Sequence, residues 1–343
     1  MRPPGPVRLL VVAAVALALG VAAVAAAQTT GGPFQVVATT AVGPQPGKVA
    51  YGYGAVWTLN ANGSVSRLDT ATGQVRTTSV GPNVRDIRAG ENRVWVLRST
   101  KTTATVVRLN TSTAAKVGKD ITLPLGTTVD VSPAVNGANT LGIGSGYVWV
   151  AGVRTWQKLA SIDPSDAKVV VKSWPIPQAF TAAASALWIV TPNQQTLQKR
   201  SPSSLKILTS FGVGAATGGT AGPLSLTYGA NFLWLSQSTP NDLGQINKVS
   251  PSTGMVTGAA SKGLDIGLTC TSAGAGAVWA TEVADAAGGE PALLVRLSQA
   301  DLSELARGTL PPGASPGAVR CVVAGGGLVY VTDGVGAVYT IQP

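Results

Sequence analysis

Glu282 and Asp333 are the carboxylates whose spacing best equips them to act as a pair. Each stands three residues after an aromatic that follows a small-residue turn: Gly276-Ala277-Val278-Trp279 and Gly327-Leu328-Val329-Tyr330. Two carboxylates at equivalent positions of adjacent repeats could share a divalent cation. A cation held that way supports lyase or hydrolase chemistry in a central channel. The chain, however, contains no histidine. It therefore lacks the usual general base near neutral pH and the commonest metal ligand. Catalysis is the second expectation, no catalytic residue is assigned, and no cofactor is expected.

Binding offers a wider choice of residues. Arg98 and Gln237 occupy the same place, three residues after their own aromatics, within the series Asn60, Arg98, Gly152, Thr191, Gln237, Glu282 and Asp333. This ring could line the mouth of a channel or form a solvated row of strand ends. Trp156 and Trp174 are the two tryptophans outside the repeated position, and Arg154 stands beside the first. Aromatics on links often anchor ligands, and packing is the alternative. Arg98, Arg154, Trp156, Trp174, Gln237 and Glu282 are thus the candidate contacts. Gly218–Gly222 and Gly325–Gly327 are turns, not phosphate loops, because no helix or Lys-Ser/Thr follows them. Asn62-Gly63-Ser64 matches a glycosylation acceptor but reads better as a hairpin turn.

The elements that carry these residues come from an internal repeat. Its aromatic recurs at Trp57, Trp95, Trp149, Trp188, Trp234, Trp279 and Tyr330. The intervals run from 38 to 54 residues, around the ~40–45 of a four-stranded propeller blade. Five residues upstream stand Gly52, Gly90, Gly144, Ala183, Gly229, Gly274 and Gly325. They are expected to supply the positive φ of a turn between the first two strands. Eight residues upstream, Val49, Ile87, Leu141, Phe180, Leu226, Thr271 and Val322 should pack between neighbouring blades. A third strand ends in an Asp, Asn or Ser turn, as in Arg67-Leu68-Asp69-Thr70 and Ser161-Ile162-Asp163-Pro164. The chain stops after the third strand of its last copy, and residues 35–43 form an orphan fourth strand. The fold is therefore expected to be all-β: a seven-bladed β-propeller whose strand 35–43 completes the last blade and leaves no open edge.

The Gly-x-(Val/Leu)-Trp-Val and (Arg/Ser)-(Leu/Ile)-Asp-Pro-x-Thr-Gly signatures resemble the YVTN/streptogramin-lyase-like (virginiamycin B lyase-like) superfamily of exported bacterial propellers. The resemblance spans residues 28–343 and implies the fold, but it says little about activity. Streptogramin lyases use histidine and a divalent metal in a central site. The missing histidine separates this chain from that chemistry.

Residues 1–27 read as a targeting segment. Arg2 and Arg8 precede the uncharged apolar run Leu9–Ala27, and Ala25-Ala26-Ala27 offers a cleavage site. The run is also long enough for an uncleaved anchor, which would be the sole membrane attachment. Either outcome predicts export to the periplasm, the cell surface or the medium. The net charge is +10; the basic residues are scattered, so it reads as solubility charge, with no nucleic-acid partner expected. Cys270 and Cys321 are the only cysteines. Both stand nine residues before their aromatics, and either a disulfide between adjacent inner strands or two buried thiols fits that placement. The longer insertions, at 127–139, 212–222, 237–244 and 282–291, all fall in links that leave one face of a propeller. That is the usual mark of a binding face. The expected protein is a monomeric, non-enzymatic binding or scaffolding module whose partner is an envelope protein or polysaccharide.

Overall fold

The computed structural model describes residues 33–100, 104–124, 141–151, 158–174, 179–191, 196–213, 223–238, 243–265, 270–282, 293–309 and 321–343. The targeting segment lies outside these residues. The described residues form seven four-stranded antiparallel sheets and contain no helix. Each sheet is one blade, with strands ordered from the inner edge outward. The inner strands are Pro46–Gly52, Val84–Gly90, Leu141–Gly144, Ala179–Ala183, Pro223–Gly229, Cys270–Gly274 and Val322–Gly325. Each touches the next, and the last touches the first, so the ring is closed. Blade 7 takes its outer strand from the other end of the chain. Gln35–Ala41 pairs antiparallel with Ala337–Gln342, from Gln35 opposite Gln342 to Ala41 opposite Ala337.

The repeat aromatics explain how blades cohere. Trp57, Trp95, Trp188, Trp234 and Trp279 are fully buried, and Trp149 and Tyr330 nearly so. Each inserts into the following blade: Trp57 among Ile87, Val94 and Val96, Trp95 among Leu141, Val148 and Val150, and Tyr330 among Val49, Val56 and Leu68. The hydrophobic core is therefore seven interblade layers, to which six of the residues eight positions upstream contribute, while the seventh, Thr271, bonds the Ser225 and Ser236 hydroxyls of the preceding blade. Removing one such indole is worth about 3–5 kcal/mol by analogy with core truncations. The indole Nε1 of each repeat tryptophan donates to the carbonyl five residues upstream, from Trp57 to Gly52 at 3.2 Å and from Trp234 to Gly229 at 2.9 Å. No indole nitrogen of the series is left unsatisfied in the core.

The glycines five residues upstream do a different job from the one expected. Positive φ falls instead on the two residues that follow them, in all seven first turns: Tyr53-Gly54, Glu91-Asn92, Ser145-Gly146, Ala184-Ser185, Ala230-Asn231, Ala275-Gly276 and Gly326-Gly327. Two consecutive left-handed residues make the type I′ turn, whose twist matches the strands it joins. The upstream glycine is required by close approach at the narrow centre of the ring. A Cβ at Gly52 would lie 2.6 Å from the Ala89 Cβ, and one at Gly229 2.6 Å from the Ala273 carbonyl oxygen.

The third strand also carries charge into the core. Arg67, Arg108, Lys199, Lys248 and Arg296 stand directly across the strand pair from a repeat tryptophan. Arg67, Lys199 and Arg296 place their cations 5.7, 5.3 and 5.5 Å from those ring centroids. Arg67 then donates to the Thr111 carbonyl of the next blade, Lys199 to Pro251, and Lys248 to Gln299 and Ala300. Part of the positive charge thus joins blade to blade. The third-strand turns are capped as expected: Asp69 Oδ1 accepts from the amides of Ala71 and Thr72, and Asn110 Oδ1 from those of Ser112 and Thr113. The Thr72 amide, with Arg67, holds the Asp69 carboxyl down at about 2. Asn62 accepts from the Ser64 amide within a hairpin, as the Asn-Gly pair requires.

Candidate functional site

Strand direction sorts the connections onto two faces. One face carries the seven two-residue turns and the capped third-strand turns. The other carries the ends that the second-to-third-strand and blade-to-blade links join. Links on that second face include the insertions singled out above, which lie largely outside the described residues, as do Arg154 and Trp156.

The polar ring ends on this second face but is not a solvated row. Asn60, Thr191, Gln237, Glu282 and Asp333 are all buried, and Gly152 lies outside the described residues. The second strand ends inside the stack of blades, so a polar side chain there must find a protein partner. Asn60 Nδ2 donates to Ser64 and Ser66 at 2.9 Å, and the hydroxyls of Thr191 and Thr196 bond at 2.9 Å. Asn247 Nδ2 donates to the Gln237 carbonyl oxygen. Asp333 Oδ1 accepts from the amides of Val335, Gly336 and Ala337, each at 2.8 Å. Glu282 pairs outward with Arg307 at 2.9 Å. Glu282 and Asp333 are therefore each engaged within their own blade, not turned toward a shared cation.

Arg98 keeps a quarter of its side chain exposed, pairs with Asp120 at 3.2 Å and donates through Nε to the Pro82 carbonyl. Trp174 takes the packing alternative: it is 3% exposed, lies among Trp149, Phe180 and Leu205, and the Arg200 guanidinium sits 5.0 Å from its ring centroid. Of the six candidate contacts, the structure brings Gln237 into a buried hairpin bond, Glu282 into a pair with Arg307 on the outer strand, Trp174 into an interblade layer, and Arg98 to the face.

The inner strands enclose a channel of about 320 Å³, to which all seven blades contribute. Blades 1 and 2 present Lys48 and Arg88. Blades 4 to 6 present Thr181, Ser225, Thr227, Thr271 and Ser272, and the two cysteines complete the wall. Cys270 and Cys321 are bonded to one another, with Cα atoms 4.9 Å apart, so inner strands are close enough for a disulfide. Asp86, fully buried, accepts from the amides of Ile87 and Leu141 at 2.9 Å and pairs with Arg88 at 3.3 Å. It thereby ties blade 2 to blade 3. Burial pushes the Lys48 ammonium below the usual lysine range; Asp86 opposes the shift and Arg88 adds to it. Of the channel residues, Lys48, Asp86, Arg88 and Ser225 went unremarked in the sequence. Their signal was positional: Lys48, Asp86, Ser225, Cys270 and Cys321 share one place in the repeat, four residues before the conserved turn position.

No family model matches the chain, and no curated protein does. Solved structures do. Virginiamycin B lyase from Staphylococcus aureus superimposes with a TM-score of 0.64 at 16% identity, over 89% of this chain and 98% of that one. The Cps50 (Swd1) β-propeller domain from Myceliophteria thermophila gives 0.65 at 10% identity, over 91% and 100%. BamB from Moraxella catarrhalis gives 0.50 at 14%, over 89% and 83%. At these identities the likeness is one of fold: all are β-propellers.

Proposed function

We propose that this chain is an exported, non-enzymatic binding propeller of the cell envelope, within the YVTN/streptogramin-lyase-like group, which engages an envelope protein or polysaccharide through its link-bearing face. The observation that carries the reading is the asymmetry of the two faces. One is closed by seven identical two-residue turns. The other receives links of widely different length, of which the join from Leu123 to Leu141 is an example. A fold that holds one face constant and varies the other has the form of a scaffold presenting a binding surface. The Cys270–Cys321 bond supports an oxidising compartment, in keeping with the apolar N-terminal run.

Arg154, Trp156 and Arg98 are the proposed contacts of this face. Replacing Arg154 and Trp156 together with Ala should weaken retention of the partner on the immobilised protein by on the order of thirtyfold, the effect of losing one aromatic hot spot. The melting temperature should stay unchanged. Retention equal to that of the unaltered protein removes these residues from the face's function.

A further inference from the structure

The central channel has a chemistry of its own. Its wall is cationic on one side and hydroxylated on the other, and the protein offsets the cation at its heart only in part, through Asp86. Lys48 makes no hydrogen bond and no ion pair among the described residues. The nearest carboxylate, Asp86, is committed to Arg88 and two backbone amides. No acidic residue lines the channel beside Lys48 and Arg88. Lys48 is half-buried in the wall, and the desolvation that this brings lowers its proton affinity. Across the channel, the Thr227 hydroxyl is shut away from solvent with no hydrogen-bond partner. Ser272 accepts from the Ala324 amide at 3.0 Å, so its own O–H is left to donate. Ser225 shares its hydroxyl with Thr271 and Ser236.

We infer that the channel is a binding site for a small hydroxylated carboxylate, with its carboxylate on Lys48 and its hydroxyls against Thr181, Thr227 and Ser272. Lys48 and Arg88 against the single carboxylate of Asp86 leave one net positive charge, so a singly charged carboxylate suits the site better than a phosphate dianion. The volume of about 320 Å³ equals the liquid share of roughly ten waters at ~30 Å³ each. It therefore takes an acid of about a dozen heavy atoms and excludes a polymer. The hydroxyl wall favours a polyol chain over an apolar one, because the Thr227 hydroxyl lacks a partner and the Ser272 O–H is left to donate. The site is independent of the link-bearing face and of whatever that face engages.

Calorimetric titration of the intact protein with gluconate, glucose and inorganic phosphate tests the assignment. Gluconate should bind saturably, glucose at least tenfold more weakly, and phosphate more weakly than gluconate. Lys48→Met, which keeps the stem and deletes the charge, should lose gluconate binding at least tenfold while melting no lower than the unaltered protein. Thr227→Val, a second variant that leaves the charge in place, should weaken gluconate several-fold. No saturable gluconate binding, equal binding by Lys48→Met, or phosphate binding as tight as gluconate overturns the inference.

Discussion

A chain that begins at residue 44 is expected not to hold its propeller shut. The strand Gln35–Ala41 forms the outer edge of blade 7 and pairs with Ala337–Gln342 at six positions. Phe34 and Val36 are buried beside it, with the Phe34 ring 5.8 Å from that of Trp279. Burial of those two apolar side chains is worth about 3–6 kcal/mol. The lost ladder bonds add roughly 1 kcal/mol each. The Gly43 amide also leaves a buried bond to Ser66 Oγ. The sum is of the order of the whole stability of a typical domain, about 5–15 kcal/mol. Tryptophan emission of the truncated chain should therefore be that of exposed indole, because the repeat tryptophans are buried only while the blades stack. A synthetic peptide of residues 33–43 added in trans should restore the buried signal. A truncated chain that melts with the full one, peptide or not, would show that the closure is ornamental.

Loss of the Cys270–Cys321 bond should be the next largest effect. It joins the inner strands of blades 6 and 7 across 51 residues of sequence. In the loop-entropy description a bond of that span restrains the unfolded chain by about 4 kcal/mol. Cys270→Ala with Cys321→Ala should lower the unfolding free energy by about that amount, read as an earlier urea midpoint, with a slope no shallower because the unlinked unfolded chain is less compact. A reductant should do the same to the unaltered protein. Because the bond and the strand Gln35–Ala41 act on the same end of the ring, destabilising both should not be additive. A midpoint that does not move would mean that the side chains of blades 6 and 7 already fix the unfolded ensemble or the ring.

The sequence disclosed the ring because one large aromatic per blade must sit in the same interblade slot, and that constraint leaves six tryptophans and a tyrosine at the same place in seven repeats. It disclosed the closure because a last blade without a fourth strand needs one from elsewhere. The upstream glycines were visible but misassigned: Gly52 and Gly229 are small because the next blade's inner strand passes within van der Waals reach, which no local turn rule records. The cations opposite the tryptophans were read as scattered charge. Variable link lengths put Arg67 ten residues after its tryptophan and Arg296 seventeen, so that both stand opposite a tryptophan appears only once strands are paired. The channel stayed hidden for a related reason. Its wall takes two to four residues from each of seven repeats, and those at equivalent positions differ in type. Asn60, Glu282 and Asp333 looked like a polar rim because polarity alone does not say whether a strand end meets water or another blade.

The face assignment is tested most directly by photo-crosslinking in the producing cells. A photoreactive residue in place of Arg98 reports on the link-bearing face, and one in place of Tyr53, 43% exposed, reports on the face of two-residue turns. The account predicts that position 98 captures one discrete envelope component and that position 53 captures none. Capture of that component from position 53 and not from 98 would contradict it.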